Sequence, residues 1–263
     1  MHPDLFQLVF SLGYNKNILS STVAFTEFDS KSRGRKKYMT KVLTWNVGCF
    51  KPVEHLKTYK GYAVKKQQFQ RFNGTFVSDT IRQIDPDIIF LLEITDADDL
   101  DYIAALEDYP YRHLTKNTYH THHILTASKT PYDSKDYDGF TIVQQGGMTY
   151  VPVHLGTFHA ADRLGDAKKL TKLVAGKKHV AIMGDTNMWS RGSIYAFKAD
   201  REAYKVLTAT HTDLTRTFHS TTRFLAGLDK VFVGKDFTHA AVEVPKIHGT
   251  FMDHYPLVIE LQK

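Results

Sequence analysis

An apolar run that ends in a polar corner, Val180-Ala-Ile-Met-Gly-Asp-Thr-Asn187, constrains the fold of this chain more than any other stretch. Its first four residues have the length and side chains of a buried strand, and the strand must end where the Gly184-Asp185 pair begins a turn. Because side chains two residues apart on an extended chain leave the same face, Asp185 and Asn187 could contact one ligand. An ordinary polar β-turn uses the same residue types, so the corner alone leaves both interpretations open.

The same pattern, an apolar run with a polar residue at its edge, recurs along the chain. Strands are predicted at 42–45, 88–94, 149–155, 228–233 and 255–261, and the polar residues at their edges are Asn46, Glu93, His154, Asp229, Asp253 and His254. A carboxylate buried without a partner is costly, so Glu93 needs a cation or a hydrogen-bond donor. These strand ends could therefore converge on one cleft.

The remaining elements favour two sheets rather than an alternating β-α pattern. Further strands are predicted at 123–127, 140–143 and 240–244, with helices at about 76–84, 98–106, 161–174 and 194–206. Strands dominate, and neither an internal repeat nor a linker divides the chain. This pattern predicts two packed sheets flanked by helices, in one domain spanning 41–263 that follows an N-terminal extension, 1–40.

Charge indicates the kind of partner that the protein binds, and cysteine content indicates its compartment. A formal net charge of +6 and a pI near 9.1 favour an anionic partner such as nucleic acid or phosphate. The single cysteine, Cys49, excludes an internal disulfide and fits a reducing compartment. The sequence contains neither an apolar segment of membrane-spanning length nor a recognisable signal peptide, so we predict a cytoplasmic protein, and we expect a monomer.

A basic stretch rich in aromatic residues is the candidate for contact with a polymer. Residues 49–70 are predicted to form a long polar connection in which lysines alternate with Tyr59, Tyr62 and Phe69. Such a mixture can hold a phosphate backbone and stack bases, although ordinary surface loops pack their aromatic residues among lysines in the same way. The candidate substrate-binding residues are Lys60, Lys65, Lys66 and Arg71.

In this order, the strand-end motifs resemble those of the endonuclease/exonuclease/phosphatase superfamily, the deoxyribonuclease I-like group. The matching motifs are Thr44-Trp-Asn-Val47, Leu92-Glu93, Val153-His-Leu155, Gly184-Asp-Thr-Asn187, Leu228-Asp229 and Asp253-His-Tyr-Pro256. Leu92 stands where the family usually has glutamine. Thr186 replaces the commoner phenylalanine of the Gly-Asp-Phe-Asn motif, a variation also found in the tyrosyl-DNA phosphodiesterase branch.

The resemblance implies an α+β fold, a four-layer α-β-β-α sandwich, with a divalent metal between the sheets. By the same match the metal is Mg²⁺, with Mn²⁺ as the alternative, and its ligands are Glu93, Asn46 and Asp253. Carboxylate and amide oxygens are the ligands that such hard ions prefer. The resemblance therefore implies a metal-assisted site at the mouth between the sheets.

The resemblance also implies a role for each of the other strand-end residues. Asp185 would orient or deprotonate the attacking water, and Asn187 would bind the phosphoryl oxygens. His254 would donate to the phosphate while Asp229 fixes the orientation of its ring, and His154 would assist the phosphate or the leaving oxygen. Metal, histidine and amide groups would together neutralise the charge that develops as a phosphoester is attacked.

Three functions remain open from the sequence. The leading hypothesis is a metal-dependent phosphodiesterase that acts on nucleic acid, as an endonuclease, an exonuclease or an enzyme that processes DNA ends. The alternative enzyme would act on a small or lipid phosphoester of the inositol phosphate or sphingomyelin type. A catalytically silent binding module of the same fold is the third, although a silent copy would be expected to have lost Glu93, Asp185 or His254.

Overall fold

The computed structural model of the protein describes residues 39–48, 62–94, 97–116, 122–156, 159–189, 197–218, 220–222, 227–246 and 253–263, without the side chains of 62–70, 72 and 98. Its strands are β1 (Thr40–Asn46), β2 (Ile88–Ile94), β3 (Tyr111–Lys116), β4 (His123–Ser128), β5 (Asp133–Tyr137), β6 (Phe140–Gln145), β7 (Met148–His154), β8 (Val180–Asp185), β9 (His211–Asp213), β10 (Asp229–Gly234), β11 (His239–Glu243) and β12 (Leu257–Gln262). The helices are α1 (Tyr62–Ile84), α2 (Ala160–Leu173) and α3 (Lys198–Thr208), with two 3-10 helices at Ala97–Tyr102 and Ala104–Asp108.

The strands form two six-stranded sheets. The first sheet has the order β11-β12-β1-β2-β4-β3, and the second has the order β5-β6-β7-β8-β10-β9. The pairs β1–β2 and β7–β8 are parallel, whereas the other pairs are antiparallel. Each sheet therefore presents the carboxyl ends of two central parallel strands at one edge, where polar side chains can meet.

Three apolar clusters show that the two sheets and the helices outside them form four layers. Between the sheets, Phe90, Tyr150 and Met183 belong to one fully buried cluster. A second cluster packs α1 and the 3-10 helices on the outer face of the first sheet, and a third packs α2 and α3 on the outer face of the second sheet. Because the central strands β1, β2, β7 and β8 alternate their side chains between two buried faces, these strands are nearly continuous apolar runs. The predicted α-β-β-α sandwich is confirmed.

Several predicted elements differ from the observed ones. The polar connection predicted over 49–70 is wrong in its second half, because α1 already begins at Tyr62. Alanine, lysine and glutamine, which fill this part, are good helix formers despite their polarity. The predicted strands lacked β3, β5 and β9, and the five residues of β5 are all exposed and show no apolar alternation. The short helix predicted at 98–106 is instead the two 3-10 helices.

The predicted division between an extension and a domain remains a prediction, because residues 1–38 lie outside the described part. Within the part of the chain that the structure describes, no helix is both long and apolar enough to cross a lipid bilayer.

A close approach between β7 and β8 depends on Gly184. Its φ angle is +133°, and an added Cβ atom would lie 2.2 Å from the backbone oxygen of Val153. A side chain there would push apart two strands that are paired in register, Val153 opposite Gly184. The glycine that starts the polar corner is therefore required by backbone geometry.

We predict that Gly184→Ala lowers the free energy of unfolding by more than about 1 kcal/mol, because its backbone conformation is unsuited to a side chain. Gly165→Ala is the matched control, since Gly165 lies within α2 and a Cβ there would meet nothing within 4 Å. The control should raise the free energy of unfolding by about 0.5–1 kcal/mol. Urea unfolding of both variants measures the difference, and equal stabilities would contradict this account of Gly184.

Candidate active site

Strand register brings the predicted polar residues to one edge of each sheet. In the second sheet His154 of β7 lies opposite Asp185 of β8, which in turn lies opposite Asp229 of β10. In the first sheet Asn46 of β1 pairs with Leu92, the neighbour of Glu93 on β2. The convergence predicted from the apolar runs is thus produced by parallel pairing of β1 with β2 and of β7 with β8.

Two of these residues have left-handed backbone conformations, which non-glycine residues rarely adopt. Glu93 has a φ angle of +63° and Asn187 one of +49°. Glu93 lies where the register between β2 and β4 shifts, between Leu91 and Ile94. Such conformations persist only where the surroundings hold them, and they concentrate at functional sites. The bulge redirects Glu93 away from the regular alternation of β2.

The first contact between the sheets at this edge runs through Asn46. Its amide nitrogen donates to Glu93 Oε1 and to Asp185 Oδ2, both at 3.0 Å, and its amide oxygen accepts the backbone N–H of Gly48 at 2.9 Å. His154 Nε2 lies 3.3 Å from Glu93 Oε1 and 3.6 Å from Asp185 Oδ2. Carboxylates from both sheets therefore share the same donors.

The second contact between the sheets is an aspartate–histidine pair. His254 Nδ1 lies 2.8 Å from Asp229 Oδ2, and its Nε2 lies 3.7 Å from Asp185 Oδ2. The Asp253 carboxylate is closer to solvent, with Oδ2 at 3.9 Å from His254 Nε2. Trp45 Nε1 donates to the backbone oxygen of His254 at 3.1 Å. The imidazole is thus held between two buried carboxylates.

The polar corner after β8 is held by hydrogen bonds between side chains and the backbone. The N–H of Asn187 donates to Asp185 Oδ1 at 2.8 Å, and its side-chain nitrogen donates to the backbone oxygen of Leu155 at 2.8 Å. The backbone of Asn187 therefore turns back onto the Asp185 carboxylate, while the Asn187 side chain is held by Leu155. Both residues are buried, so the surrounding chain holds this arrangement.

A buried ion pair supports the segment that follows β7. Arg163 of α2 forms a bidentate pair with Asp200 of α3, at 2.7 and 3.0 Å, and its Nη1 donates to the backbone oxygen of Gly156 at 2.8 Å. Both charged side chains are 1% exposed. The pair therefore links both helices of the outer layer to the chain segment that carries Leu155 and, just before it, His154.

Burial and neighbouring charges shift the proton affinities of the cluster. Burial raises the pKa of Asp185, and the adjacent imidazoles only partly offset this rise. Burial would lower the pKa of His254, but the carboxylates of Asp229 and Asp185 outweigh it and hold that pKa well above its ordinary value. The pKa of His154 is also raised, because its bond to Glu93 and the nearby carboxylates outweigh burial. The cluster is therefore rich in negative charge.

The donor atoms of the cluster suit a divalent cation. Ligand atoms of Glu93, His154 and Asp185 lie within 4.8 Å of one another, as do those of Asp185, Asp229 and His254. Among the described residues, neither of these two groups includes Asp253, which the sequence assigned to the metal together with Asn46. The amide oxygen of Asn46 faces Gly48 rather than the carboxylates, so it would have to turn to act as a ligand.

The predicted site residues fall into three groups according to where they lie in the structure. It brings together Asn46, Glu93, His154, Asp185, Asn187, Asp229 and His254, with Asp253 at the rim. Lys60 lies outside the described residues, as do the side chains of Lys65 and Lys66, while Arg71 is exposed on α1. The sequence-based prediction missed Arg163 and Asp200, whose charges within amphipathic helices gave no sign of burial.

Comparisons with known proteins give the family and the fold of this chain. The model of the endonuclease/exonuclease/phosphatase family matches residues 43–251. An AP endonuclease from Archaeoglobus fulgidus is similar in structure, with a TM-score of 0.61 and 14% identity over 84% of this chain and 98% of that one. A mannosyl-6-phosphatase from Bacteroides thetaiotaomicron gives a TM-score of 0.58 and 14% identity over 85% of this chain and 100% of that one.

A third similar structure is D. rerio TDP2 complexed with a single-strand DNA product, with a TM-score of 0.57 and 15% identity over 86% of this chain and 99% of that one. At these identities the likeness shows a shared fold. No curated protein sequence matches the chain. The family match spans most of the chain and includes five of its six strand-end motifs, and the protein belongs to the endonuclease/exonuclease/phosphatase family.

Proposed function

We propose that this protein is a divalent-metal-dependent hydrolase of phosphoester bonds whose substrate is nucleic acid. The observation that carries the proposal is the environment of Asp185. This buried carboxylate meets Asn46 of the first sheet, the N–H of Asn187 and the Nε2 atoms of His154 and His254. An acid–base group surrounded by donors is what attack on an anionic phosphoester requires. Members of this family are typically phosphoester hydrolases.

Glu93 would hold the metal, with Asp253 at the rim and the Asn46 amide, once its oxygen turns away from Gly48, as further ligands. When bound, the cation would supply a positive charge that polarises the phosphoryl group and neutralises charge in the transition state. Glu93 is suited to this role because the bulge on β2 directs its carboxylate toward the cleft, and its side chain stays 20% exposed.

Asp185 would orient the attacking water and accept its proton. The Asn187 N–H fixes Asp185 Oδ1, so Oδ2 is the oxygen that faces the cleft with both histidines. Its raised pKa makes the carboxylate a stronger base than an exposed aspartate. The remaining N–H of the Asn187 amide, beyond the one that bonds Leu155, would donate to a phosphoryl oxygen.

His254 and His154 would complete the phosphate site. Because Asp229 accepts the Nδ1 proton of His254, the Nε2 proton of this charged imidazole points into the cleft and would donate to the phosphate. His154 would donate from Nε2 to the phosphate or to the leaving oxygen. These roles use all the strand-end residues, which argues against a catalytically silent module.

Two observations support nucleic acid as the substrate. The net charge of +6 favours a polyanion. Similar structures include an AP endonuclease and a TDP2 complexed with a single-strand DNA product. The mannosyl-6-phosphatase is equally similar, so a small phosphoester is the second candidate. Lys60, Lys65, Lys66 and Arg71 remain the proposed polymer contacts.

The proposal is tested by hydrolysis of single-stranded, duplex and abasic DNA, RNA, mannose 6-phosphate and inositol phosphates with Mg²⁺. We expect the highest kcat/KM on a nucleic acid, and a loss of at least about 10²-fold in kcat in Asp185→Asn. Asp138→Asn, an exposed substitution of the same type, is the control and should be fully active. Preference for a sugar or inositol phosphate would favour the second candidate, and inactivity on every substrate would contradict a hydrolase.

Metal dependence is tested separately through Glu93. EDTA should abolish hydrolysis by the parent protein, and Glu93→Gln should shift the midpoint of Mg²⁺ activation to higher concentration, because a neutral amide is a weaker ligand for a hard ion. The exposed Glu107→Gln substitution controls for a change of charge alone. Full activity in EDTA would exclude the metal role.

A further inference from the structure

The aspartate–histidine pair connects the two sheets through side chains, and no described backbone hydrogen bond joins Asp229 directly to His254. Asp229 begins β10 of the second sheet, whereas His254 precedes β12 of the first sheet. Only the side-chain bond between Nδ1 and Oδ2 connects the two residues directly. A pair built in this way keeps its geometry only if something else fixes the distance between the two backbones.

Thr221 makes a hydrogen bond to each side of this pair. Its Oγ1 accepts the backbone N–H of Asp229 at 3.0 Å, and its backbone oxygen accepts the N–H of Tyr255 at 2.9 Å. The next residue, Thr222, forms an isolated β-bridge with His254. Thr221 is 1% exposed. One buried residue therefore bonds the backbone of Asp229 and the backbone beside His254.

Most other contacts of the pair hold one side only, and Asp185, the register partner of Asp229, reaches the other side at an ion-pair distance of 3.7 Å from His254 Nε2. Trp45 contacts the backbone oxygen of His254, and it belongs to the first sheet. Asp229 and its neighbours pair with Asp185 and Gly184 within the second sheet. Thr221 differs from them because it makes a hydrogen bond to the backbone on each side of the pair. The hydroxyl is essential for this, because no other atom of the Thr221 side chain can accept a hydrogen bond.

We propose that Thr221 is a positioning residue that fixes the Asp229–His254 pair across the two sheets. The proposal rests on the function proposed above, in which this pair donates to the phosphate. Loss of the hydroxyl would leave the N–H of Asp229 without its acceptor and let the carboxylate move relative to the imidazole. The chemical step would slow, while the metal and substrate sites around Glu93 and Asn187 would be unchanged.

The test compares Thr221→Val, which removes the hydroxyl with little change in shape, with Thr221→Ser, which keeps it. Thr141→Val is the matched control. Thr141 is also a buried threonine whose hydroxyl links the sheets, through Thr115 of β3, but it lies on β6, three strands away from β10. Both valine variants lose a buried hydroxyl that makes a hydrogen bond, so a comparison between them separates positioning from general destabilisation.

Two readouts are needed, and one of them requires no activity. The first is the NMR signal of the His254 Nδ1 proton, which a bond to a buried carboxylate protects from exchange with water. We expect faster exchange in Thr221→Val and parental behaviour in Thr221→Ser and Thr141→Val. The second is kinetics, where Thr221→Val should lower kcat about tenfold with KM unchanged, at the lower end of what loss of an outer hydrogen-bond partner costs.

The outcomes distinguish this proposal from the proposed function. If the Nδ1 proton of folded Thr221→Val exchanges at the parental rate, the proposed role of Thr221 is overturned, whatever the activity. Faster exchange of the Nδ1 proton in Thr221→Val, in a protein that hydrolyses no phosphoester, would support the positioning role and contradict the proposed function. If Thr221→Val does not fold, Thr221→Ala removes the same hydroxyl without added bulk, and the same proton signal decides. If Thr141→Val lowers kcat as much as Thr221→Val does, the kinetic effect of Thr221→Val would be explained by general destabilisation.

Discussion

The burial of one carboxylate, that of Asp185, is the constraint on which the site depends. A carboxylate that is 2% exposed cannot remain without partners, since an uncompensated buried charge is strongly unfavourable. Its two oxygens are satisfied by the N–H of Asn187 and the amide of Asn46, with His154 and His254 nearby. Because these partners come from both sheets, the position of Asp185 links the two sheets at the mouth of the sandwich.

Strain and packing are separated along the strands. The strained conformations of Glu93 and Asn187 cost roughly 1–3 kcal/mol each and lie at the open edge. The apolar cluster between the sheets, which includes Phe90, Tyr150 and Met183, lies away from that edge. The buried Arg163–Asp200 pair, which lies in the outer helical layer, also holds the segment after β7. Rigid layers thus carry a polar site at their rim.

The sequence predicted those parts of the structure that depend on local patterns. Asp185 and Asn187 follow a buried apolar run, so their place at a strand end can be read directly, and the same holds for Glu93 and Asp229. The contacts between them could not be predicted, because Asn46 and Asp185 are 139 residues apart and meet only through strand register. The orientation of the Asn46 amide depends on that register as well.

Other features left no trace in the sequence for physical reasons. Thr221 is an ordinary residue in a polar stretch, and its importance comes from two backbone groups that pairing brings within reach. The exposed edge strand β5 has no buried face, so it has no alternation of apolar residues to recognise. The start of α1 was obscured because its lysines and glutamines suit both a helix and a solvated loop.

The most direct measurement of whether these strand ends form one metal-assisted site is a crystal structure with Mn²⁺, located by its anomalous scattering. Mn²⁺ prefers the same oxygen ligands as Mg²⁺ and scatters strongly enough to be identified. We expect one strong peak within coordination distance of a Glu93 carboxylate oxygen, in the cleft shared with Asp185 and His154. A peak elsewhere, with none in contact with Glu93, would contradict the proposed metal-assisted mechanism.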